Sequence, residues 1–203
     1  MKSNELYPFV IFAAMAAWSV LHSWLAAYST KRISRNLFGK RIDRFYRLLF
    51  VGLAALTLLP ILGSIILLPA RVLWIITPPW LYLTVFFQVM AVLGALGTIF
   101  QTDVIAFIGI RQALHPDQEF ENKLMIKGFY RLVRHPMYLF SLVLLWLIPY
   151  MTDLLLAWVI ASTLYFVFGS IPEERKLLNQ FGEVYQKYQK EVPRLIPGLK
   201  LKK

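Results

Sequence analysis

The chain has no cysteine among its 203 residues, which excludes disulfides, thiolate metal sites and a cysteine nucleophile. Charged residues are scarce at 16%, and the sequence has no glycine-rich phosphate loop, internal repeat or low-complexity run. Hydrophobic residues make up 58%, and the mean hydropathy is +0.58. This composition excludes an ordinary soluble protein and predicts one integral membrane domain over residues 1–203, with no metal site.

Long apolar runs predict five membrane-spanning helices. Three runs within residues 1–100 approach or exceed the roughly 20 residues that a spanning helix needs. In residues 137–172 only Asp153 is charged, and one helix of that length would reach about 50 Å, against a hydrocarbon core of about 30 Å. Pro149 and Asp153 are therefore expected to break this stretch into a helical hairpin. The predicted spans are 7–28, read as a retained helix, 48–68, 80–100, 137–148 and 154–171.

The tail predicts a further helix that lies at the membrane interface. Over 173–194, apolar residues recur at helical spacing between charged ones, which is typical of an amphipathic helix. Gly94 and Gly97 lie within the third span and predict close helix packing. The expected fold is thus all-α, with five spans in residues 1–171, a loop over 101–136 and the tail helix.

Basic residues are distributed very unevenly among the connections. Of the 22 lysines and arginines, 20 lie in 31–47, in 101–136 or from 173 onward. The positive-inside rule then places the N-terminus outside and the C-terminus in the cytoplasm. The net charge of +11 is concentrated at helix ends, where anionic headgroups attract each basic residue by about 1 kcal/mol, so the expected partner is a lipid bilayer and not nucleic acid.

The predicted hairpin returns the chain to the membrane face that it left, so His135 and Glu173 are expected to meet there. Pro136 also suits the first turn of a helix, and Glu173 and Glu174 suit a helix start, so each motif alone has a purely structural interpretation. Together they favour a site for polar chemistry on a lipophilic substrate. His22, inside the first span, is either a packing residue or a substrate-side group.

An ordered set of motifs resembles the isoprenylcysteine carboxyl methyltransferase and phospholipid methyltransferase superfamily over roughly residues 109–197. The features in the N-terminal half are most similar to its bacterial methanethiol methyltransferase and NnrU-like branch. The motifs are Gly128-x-Tyr130, Arg134-His135-Pro136-x-Tyr138, Glu173-Glu174, Phe181-Gly182-x-x-Tyr185-x-x-Tyr188 and Val192-Pro193, with His22-Ser23, Tyr46-Arg47-Leu48-Leu49 and Gly109-Ile110-Arg111-Gln112 before them.

The resemblance implies a membrane methyltransferase of the bacterial inner membrane that binds S-adenosylmethionine from the cytoplasm. A small or lipophilic acceptor would arrive through the membrane. Glu174, His22 and Arg111 are candidates for activating a thiol acceptor, whose pKa is ordinarily about 8.5. The implied cofactor contacts are Leu124, Met125, Tyr130, His135, Pro136, Met137, Tyr138 and Glu173.

The identity of the acceptor stays open between a thiol, a prenyl carboxylate, a phospholipid amine and an isoprenoid carbon or oxygen. Gly169 stands where eukaryotic prenylcysteine enzymes hold an arginine, so the guanidinium fork that would bind a carboxylate is absent at that position. A thiol or another uncharged nucleophile is therefore favoured. The alternative class is a non-enzymatic NnrU-like membrane protein or a transporter subunit, and donor binding discriminates between the two.

Overall fold

The computed structural model describes residues 5–102, 104–114 and 124–199, and these are mainly helical. Two short strands and a 3₁₀ helix at Gly128–Arg131 interrupt the helices. The elements are α1 Tyr7–Leu25, α2 Tyr28–Phe38, α3 Ile42–Leu67, β1 Val72–Ile75, α4 Trp80–Gln101, α5 Val104–Ile108, α6 Ile110–Leu114, α7 Pro136–Trp146, β2 Tyr150–Thr152, α8 Asp153–Phe181 and α9 Glu183–Glu191.

Four helices, α1, α3, α4 and α8, are long and apolar enough to cross a membrane. The predicted all-α membrane class is therefore confirmed. The fourth predicted span corresponds to α7, which has only 11 residues and a length of about 16 Å at 1.5 Å per residue. This length is about half of a hydrocarbon core of about 30 Å, so α7 is not among the four helices long enough to span it.

The described residues form two compact units. The first unit takes its residues from 1–71, 103–121 and 153–161, and the second from 72–102, 122–152 and 162–203. In the first unit the Trp18 indole donates to Ala54 O and Thr57 Oγ1, at 3.2 and 3.1 Å, which joins α1 to α3. Arg44 of α3 donates to Ala113 O of α6.

The polar ends of the helices differ from the prediction. The segment 31–47, expected as a connection, forms most of α2 and the first turn and a half of α3, which begins at Ile42 and not at residue 48. Hydropathy detects the lipid-embedded part of a helix, whereas the backbone hydrogen bonds of α3 continue into its basic end. Apolar content alone therefore predicts the span but not where the helix begins.

In the second unit, α4 packs closely against α7, as the glycine pair predicted. A Cβ built on Gly94 would lie 2.4 Å from the Phe140 ring, and one on Gly97 would lie 2.7 Å from the Phe129 ring. Both distances are far below van der Waals contact, so a larger residue at either position would force the phenylalanine ring to move. The two rings also contact each other edge to face, with centroids 5.1 Å apart.

Two side-chain contacts within the second unit join α7 to α8, as the predicted hairpin requires. The Trp146 indole donates to Thr163 Oγ1 at 3.0 Å, and the Tyr138 and Phe166 rings stack with centroids 4.9 Å apart. Between the helices, β2 pairs antiparallel with β1, which the sequence analysis did not predict. Strands of three and four residues are too short for an alternating pattern to be recognised.

The end of α8 corrects the predicted boundary of the tail helix. α8 continues through Pro172 to Phe181, and α9 follows only after Gly182, which has a φ of 56°. Pro172 removes one backbone donor without ending the helix, whereas Gly182 adopts a left-handed conformation that breaks it. The predicted apolar face is therefore divided, and Tyr185 and Tyr188 are buried while Leu178 and Val184 are exposed.

Candidate functional site

His135 caps the start of α7 at a turn that the C-terminal tail holds in place. The backbone N–H groups of Arg134 and His135 donate to Pro193 O and Arg194 O, at 2.9 and 3.2 Å. Pro136 occupies the first helical position, where its missing N–H leaves no hydrogen bond unmade. The turn buries His135, whose exposed fraction is 6%. The backbone that carries the imidazole is thus held by the tail.

Glu173 lies beside His135, as the hairpin prediction required. Its Oε2 atom is 3.4 Å from His135 Nδ1 and accepts a hydrogen bond of 2.8 Å from the Tyr138 hydroxyl. The Tyr138 ring stacks on the imidazole with centroids 5.2 Å apart and an interplanar angle of 5°. The Phe166 ring also stacks on Tyr138. The Glu173 side chain is 46% exposed, so this carboxylate is reachable from outside the cluster.

Glu174 has different surroundings, since it belongs to a buried ion pair. Arg134 Nε donates to Glu174 Oε1 at 2.6 Å, and the Arg134 guanidinium also donates to the carbonyl oxygens of Gln189 and Val192. The Gln189 amide donates to Glu174 Oε2 at 3.0 Å. Both oxygens of Glu174 are therefore occupied. We call this group, Arg134, Glu174, Gln189 and the Val192 carbonyl, the tail latch.

The charges around His135 favour its protonated form. Burial opposes a charged imidazole, but hydrogen bonds to Glu173 and Glu174 and the negative charges of both outweigh it, so the pKa of His135 is raised. The distance from His135 Nε2 to Glu174 Oε1 is 3.3 Å. Nearby, burial and the charge of Glu173 raise the pKa of the Tyr130 phenol, which therefore stays protonated.

We expect the protein to lose thermal stability as the pH rises through the elevated pKa of His135. Because this pKa exceeds the ordinary value of 6.5, the stabilisation is complete below about pH 6.5 and disappears above the folded-state pKa. Thermal unfolding in detergent between about pH 6 and pH 9 measures the effect. His135→Gln has no titrating ring and should give a flatter profile, and equal pH slopes for the two proteins would contradict the expectation.

Two tyrosines of α9 lie in the same unit as His135, Tyr138, Glu173 and the tail latch, which we together call the polar cluster. The Tyr188 hydroxyl donates to Tyr130 O at 2.6 Å, which joins α9 to the 3₁₀ helix. Tyr185 is 1% exposed, and its ring contacts that of Tyr188 with centroids 5.8 Å apart. Burial raises the pKa of both phenols. Neither side chain therefore ionises in the physiological range.

The remaining predicted residues fall into two groups. Leu124, Met125, Pro136 and Met137 lie in the second unit with the cluster, and Leu124 and Met125 are half-buried. His22 and Arg111 lie in the first unit, where the His22 ring contacts Trp18 and Phe50, with centroids 4.8 and 4.7 Å away. Their roles stay predictions. The acidic patch at Asp117, Glu119 and Glu121 lies outside the described residues.

Several residues of the cluster were not recognised from the sequence. Arg134 appeared only as part of a motif, and Gln189 and Phe166 did not appear at all. A signal was present for Arg134, because a positive charge directly before His135 is expected to lie near the glutamates that the hairpin brings to the same face. Gln189 and Phe166 gave no such signal, since polar tail residues and apolar span residues are common in any membrane protein.

The donor groups of this cluster fit S-adenosylmethionine. Its ammonium requires a reachable carboxylate, and Glu173 is one. Its positively charged sulfur is stabilised by aromatic faces, and Tyr138, Phe166 and Tyr165 lie together in the second unit, with the Tyr165 and Phe166 centroids 5.6 Å apart. The chemistry of these side chains therefore matches the donor that the resemblance implied.

Comparisons with known proteins agree with these motifs. The family model for phospholipid methyltransferase matches residues 85–184. The chain is 38% identical over 95 residues, 45% of its length, to methanethiol S-methyltransferase of Pseudomonas deceptionensis, covering 36% of that protein. It is 29% identical over 187 residues, 90% of its length, to methanethiol S-methyltransferase 1 of Bradyrhizobium diazoefficiens, covering 64% of it. The matches thus span between about a third and two thirds of these relatives. No solved structure matches the chain.

Proposed function

We propose that this chain, which matches the phospholipid methyltransferase family over residues 85–184, transfers a methyl group from S-adenosylmethionine to a small thiol. The observation that carries the proposal is the reachable carboxylate of Glu173, held by Tyr138 at 2.8 Å and lying 3.4 Å from His135. The family match supports methyl transfer. The names of the relatives support a thiol as the acceptor.

Glu173 and the aromatic side chains beside it are the proposed binding groups for the donor. The bound donor supplies a methyl group on a positively charged sulfur. Glu173 attracts the donor's ammonium, and the faces of Tyr138 and Phe166 attract a cation by about 0.5–2 kcal/mol. Tyr130, Leu124, Met125, Pro136 and Met137 are further proposed contacts, carried over from the resemblance.

The protein accelerates such a reaction mainly by positioning. Correct orientation of two reactants can lower a barrier by about 7–11 kcal/mol. Here the tail latch holds the Arg134 side chain, and the backbone N–H groups of Arg134 and His135 donate to the tail. His135 and Tyr138 in turn contact Glu173. We propose that Glu174 acts through these contacts as a positioning residue and not as a base, because both of its oxygens accept hydrogen bonds within the latch.

A side-by-side assay tests the proposed reaction. Membranes containing the protein receive S-adenosylmethionine with a tritiated methyl group, together with methanethiol, phosphatidylethanolamine or a prenylcysteine. We expect label in the thiol, and at least about tenfold less label from membranes with Glu173→Gln, because a hydrogen bond to a charged group is lost. Efficient labelling of the prenylcysteine carboxylate would contradict the substrate, since Gly169 offers no guanidinium to hold it.

We further propose that the chain crosses the inner membrane several times, with the N-terminus outside and the C-terminus in the cytoplasm. The uneven distribution of basic residues supports this orientation. Because the sequence has no cysteine, single cysteines at Ser34, Gln118, Thr152 and Lys203 can be labelled without background. We expect reagents on the cytoplasmic side to label 34, 118 and 203 but not 152. Labelling of position 152 from the cytoplasmic side alone would contradict the proposed topology of the hairpin.

A further inference from the structure

Ser162 carries a buried hydroxyl whose hydrogen-bonding capacity is unused. Its exposed fraction is 3%, and its Oγ atom has no hydrogen-bond partner among the described residues. A serine within a membrane helix ordinarily donates to a carbonyl three or four residues earlier. Ser19, Ser64 and Ser170 do so, with distances of 2.7 to 2.8 Å to Met15 O, Pro60 O and Val167 O. Ser162 departs from this pattern.

The helical spacing places this hydroxyl on the face of α8 that leads to Glu173. Positions 162, 166, 169 and 173 are separated by four, three and four residues, so they lie on one side of the helix. Phe166, one turn from Ser162, stacks on Tyr138, whose hydroxyl donates to Glu173. The face therefore runs from a hydroxyl within the apolar part of α8 to the carboxylate proposed for the donor.

Gly169 leaves space on the same face. A Cβ built there would have the Tyr165 ring as its nearest neighbour, at 3.4 to 3.8 Å, which is ordinary van der Waals contact. An alanine therefore fits without displacing any atom, and it fills volume that is open in the natural chain. At Gly94, by contrast, a Cβ would lie 2.4 Å from Phe140, so the ring would have to move to admit it.

We propose that Ser162, Phe166 and Gly169 form the subsite for the methyl acceptor, with the Ser162 hydroxyl donating a hydrogen bond to the acceptor's sulfur. This inference rests on the proposed function. A small thiol enters from the apolar side because it is uncharged until it ionises, and Phe166 provides an apolar wall. The thiol releases its proton to solvent water, and the Ser162 hydroxyl offsets part of the loss of hydration of the thiolate. A bond then forms between the acceptor's sulfur and the methyl group as the bond between that methyl group and the donor's sulfur breaks, and S-adenosylhomocysteine leaves. The missing side chain at Gly169 admits the alkyl group of the acceptor.

Ser162→Ala tests the hydroxyl. We expect kcat/KM for methanethiol to fall about tenfold, the usual effect of losing one hydrogen bond of this kind, while the affinity for S-adenosylhomocysteine stays the same. The pH profile of kcat should also move to higher pH, because the bound thiol ionises less readily without its donor. Ser64→Ala removes a hydroxyl that donates within its own helix, and it serves as the matched control with unchanged kinetics.

Gly169→Ala tests the space independently of the hydroxyl. One methyl group in an apolar pocket changes kcat/KM by about 10- to 200-fold, so activity towards 1-hexanethiol should fall much more than activity towards methanethiol. The affinity for S-adenosylhomocysteine is again expected to stay unchanged. Ser162→Ala is judged unfolded if it loses that affinity. In that case the ratio of the activities of Gly169→Ala towards 1-hexanethiol and methanethiol tests the subsite by itself.

The results of these experiments distinguish a wrong subsite from a wrong function. If the natural protein methylates methanethiol and neither variant changes acceptor kinetics, thiol preference or the pH profile, the subsite is wrong and the function stands. If the natural protein methylates no thiol, the proposed function fails and the thiol subsite fails with it. A fall in S-adenosylhomocysteine affinity equal to the fall in activity in Gly169→Ala would place this face at the donor and overturn its assignment to the acceptor.

Discussion

Glu173→Gln should weaken the binding of S-adenosylhomocysteine at least about tenfold while the protein remains folded. The substitution keeps the shape of the side chain but removes the charge that attracts the donor's ammonium, and hydrogen bonds to charged groups contribute about 1.5–3 kcal/mol. Folding is preserved because the Glu173 side chain is 46% exposed and fills no part of the apolar core. Titration calorimetry in detergent measures the affinity.

Glu183→Gln is the matched control, since it removes the same charge from an exposed position at the start of α9. His135→Ala should also weaken binding, because Glu173 then loses the imidazole that lies 3.4 Å away and Tyr138 loses the ring stacked on it. His22→Ala should retain donor affinity. Unchanged affinity in both Glu173→Gln and His135→Ala would mean that the donor site lies elsewhere. Absence of binding by the natural protein would favour the non-enzymatic class.

The meeting of His135 and Glu173 could be predicted because it depends on length and polarity alone. The apolar stretch between them is too long for one span, and its single charge marks the point of return. The close packing around α4 could be predicted for a similar reason, since small residues such as Gly94 and Gly97 are enriched where membrane helices approach closely. The first prediction rests on the length of one apolar segment, and the second rests on the small size of glycine.

The contacts made by the tail could not be predicted in this way. The bonds from Arg134 to the carbonyls of Gln189 and Val192 use backbone acceptors, which every residue possesses and no motif marks. Glu173 and Glu174 are adjacent in sequence, yet one is 46% exposed and the other 8%, because successive residues of a helix point about 100° apart. The separation of their roles therefore depends on packing around α8 and not on residue type.

Arg134→Ala is expected to destabilise the second unit strongly. The Arg134 and Glu174 side chains are 10% and 8% exposed, and removing one partner of a buried ion pair costs about 3–5 kcal/mol, because the other charge stays buried. The backbone bonds from Arg134 and His135 to Pro193 and Arg194 can still form in this variant. The loss of stability therefore measures the contribution of the guanidinium group.

Thermal unfolding in detergent and tryptic cleavage at Lys187 and Lys190 measure the result, and α9 should be cleaved faster once the guanidinium no longer holds Gln189. Arg134→Lys should recover only part of the stability, because an ammonium cannot reproduce the planar fork that donates to Glu174, Gln189 and Val192. Arg131→Ala removes an equal charge from an exposed position three residues earlier and should have little effect. Equal stability of Arg134→Ala and Arg131→Ala would show that the latch does not hold the tail.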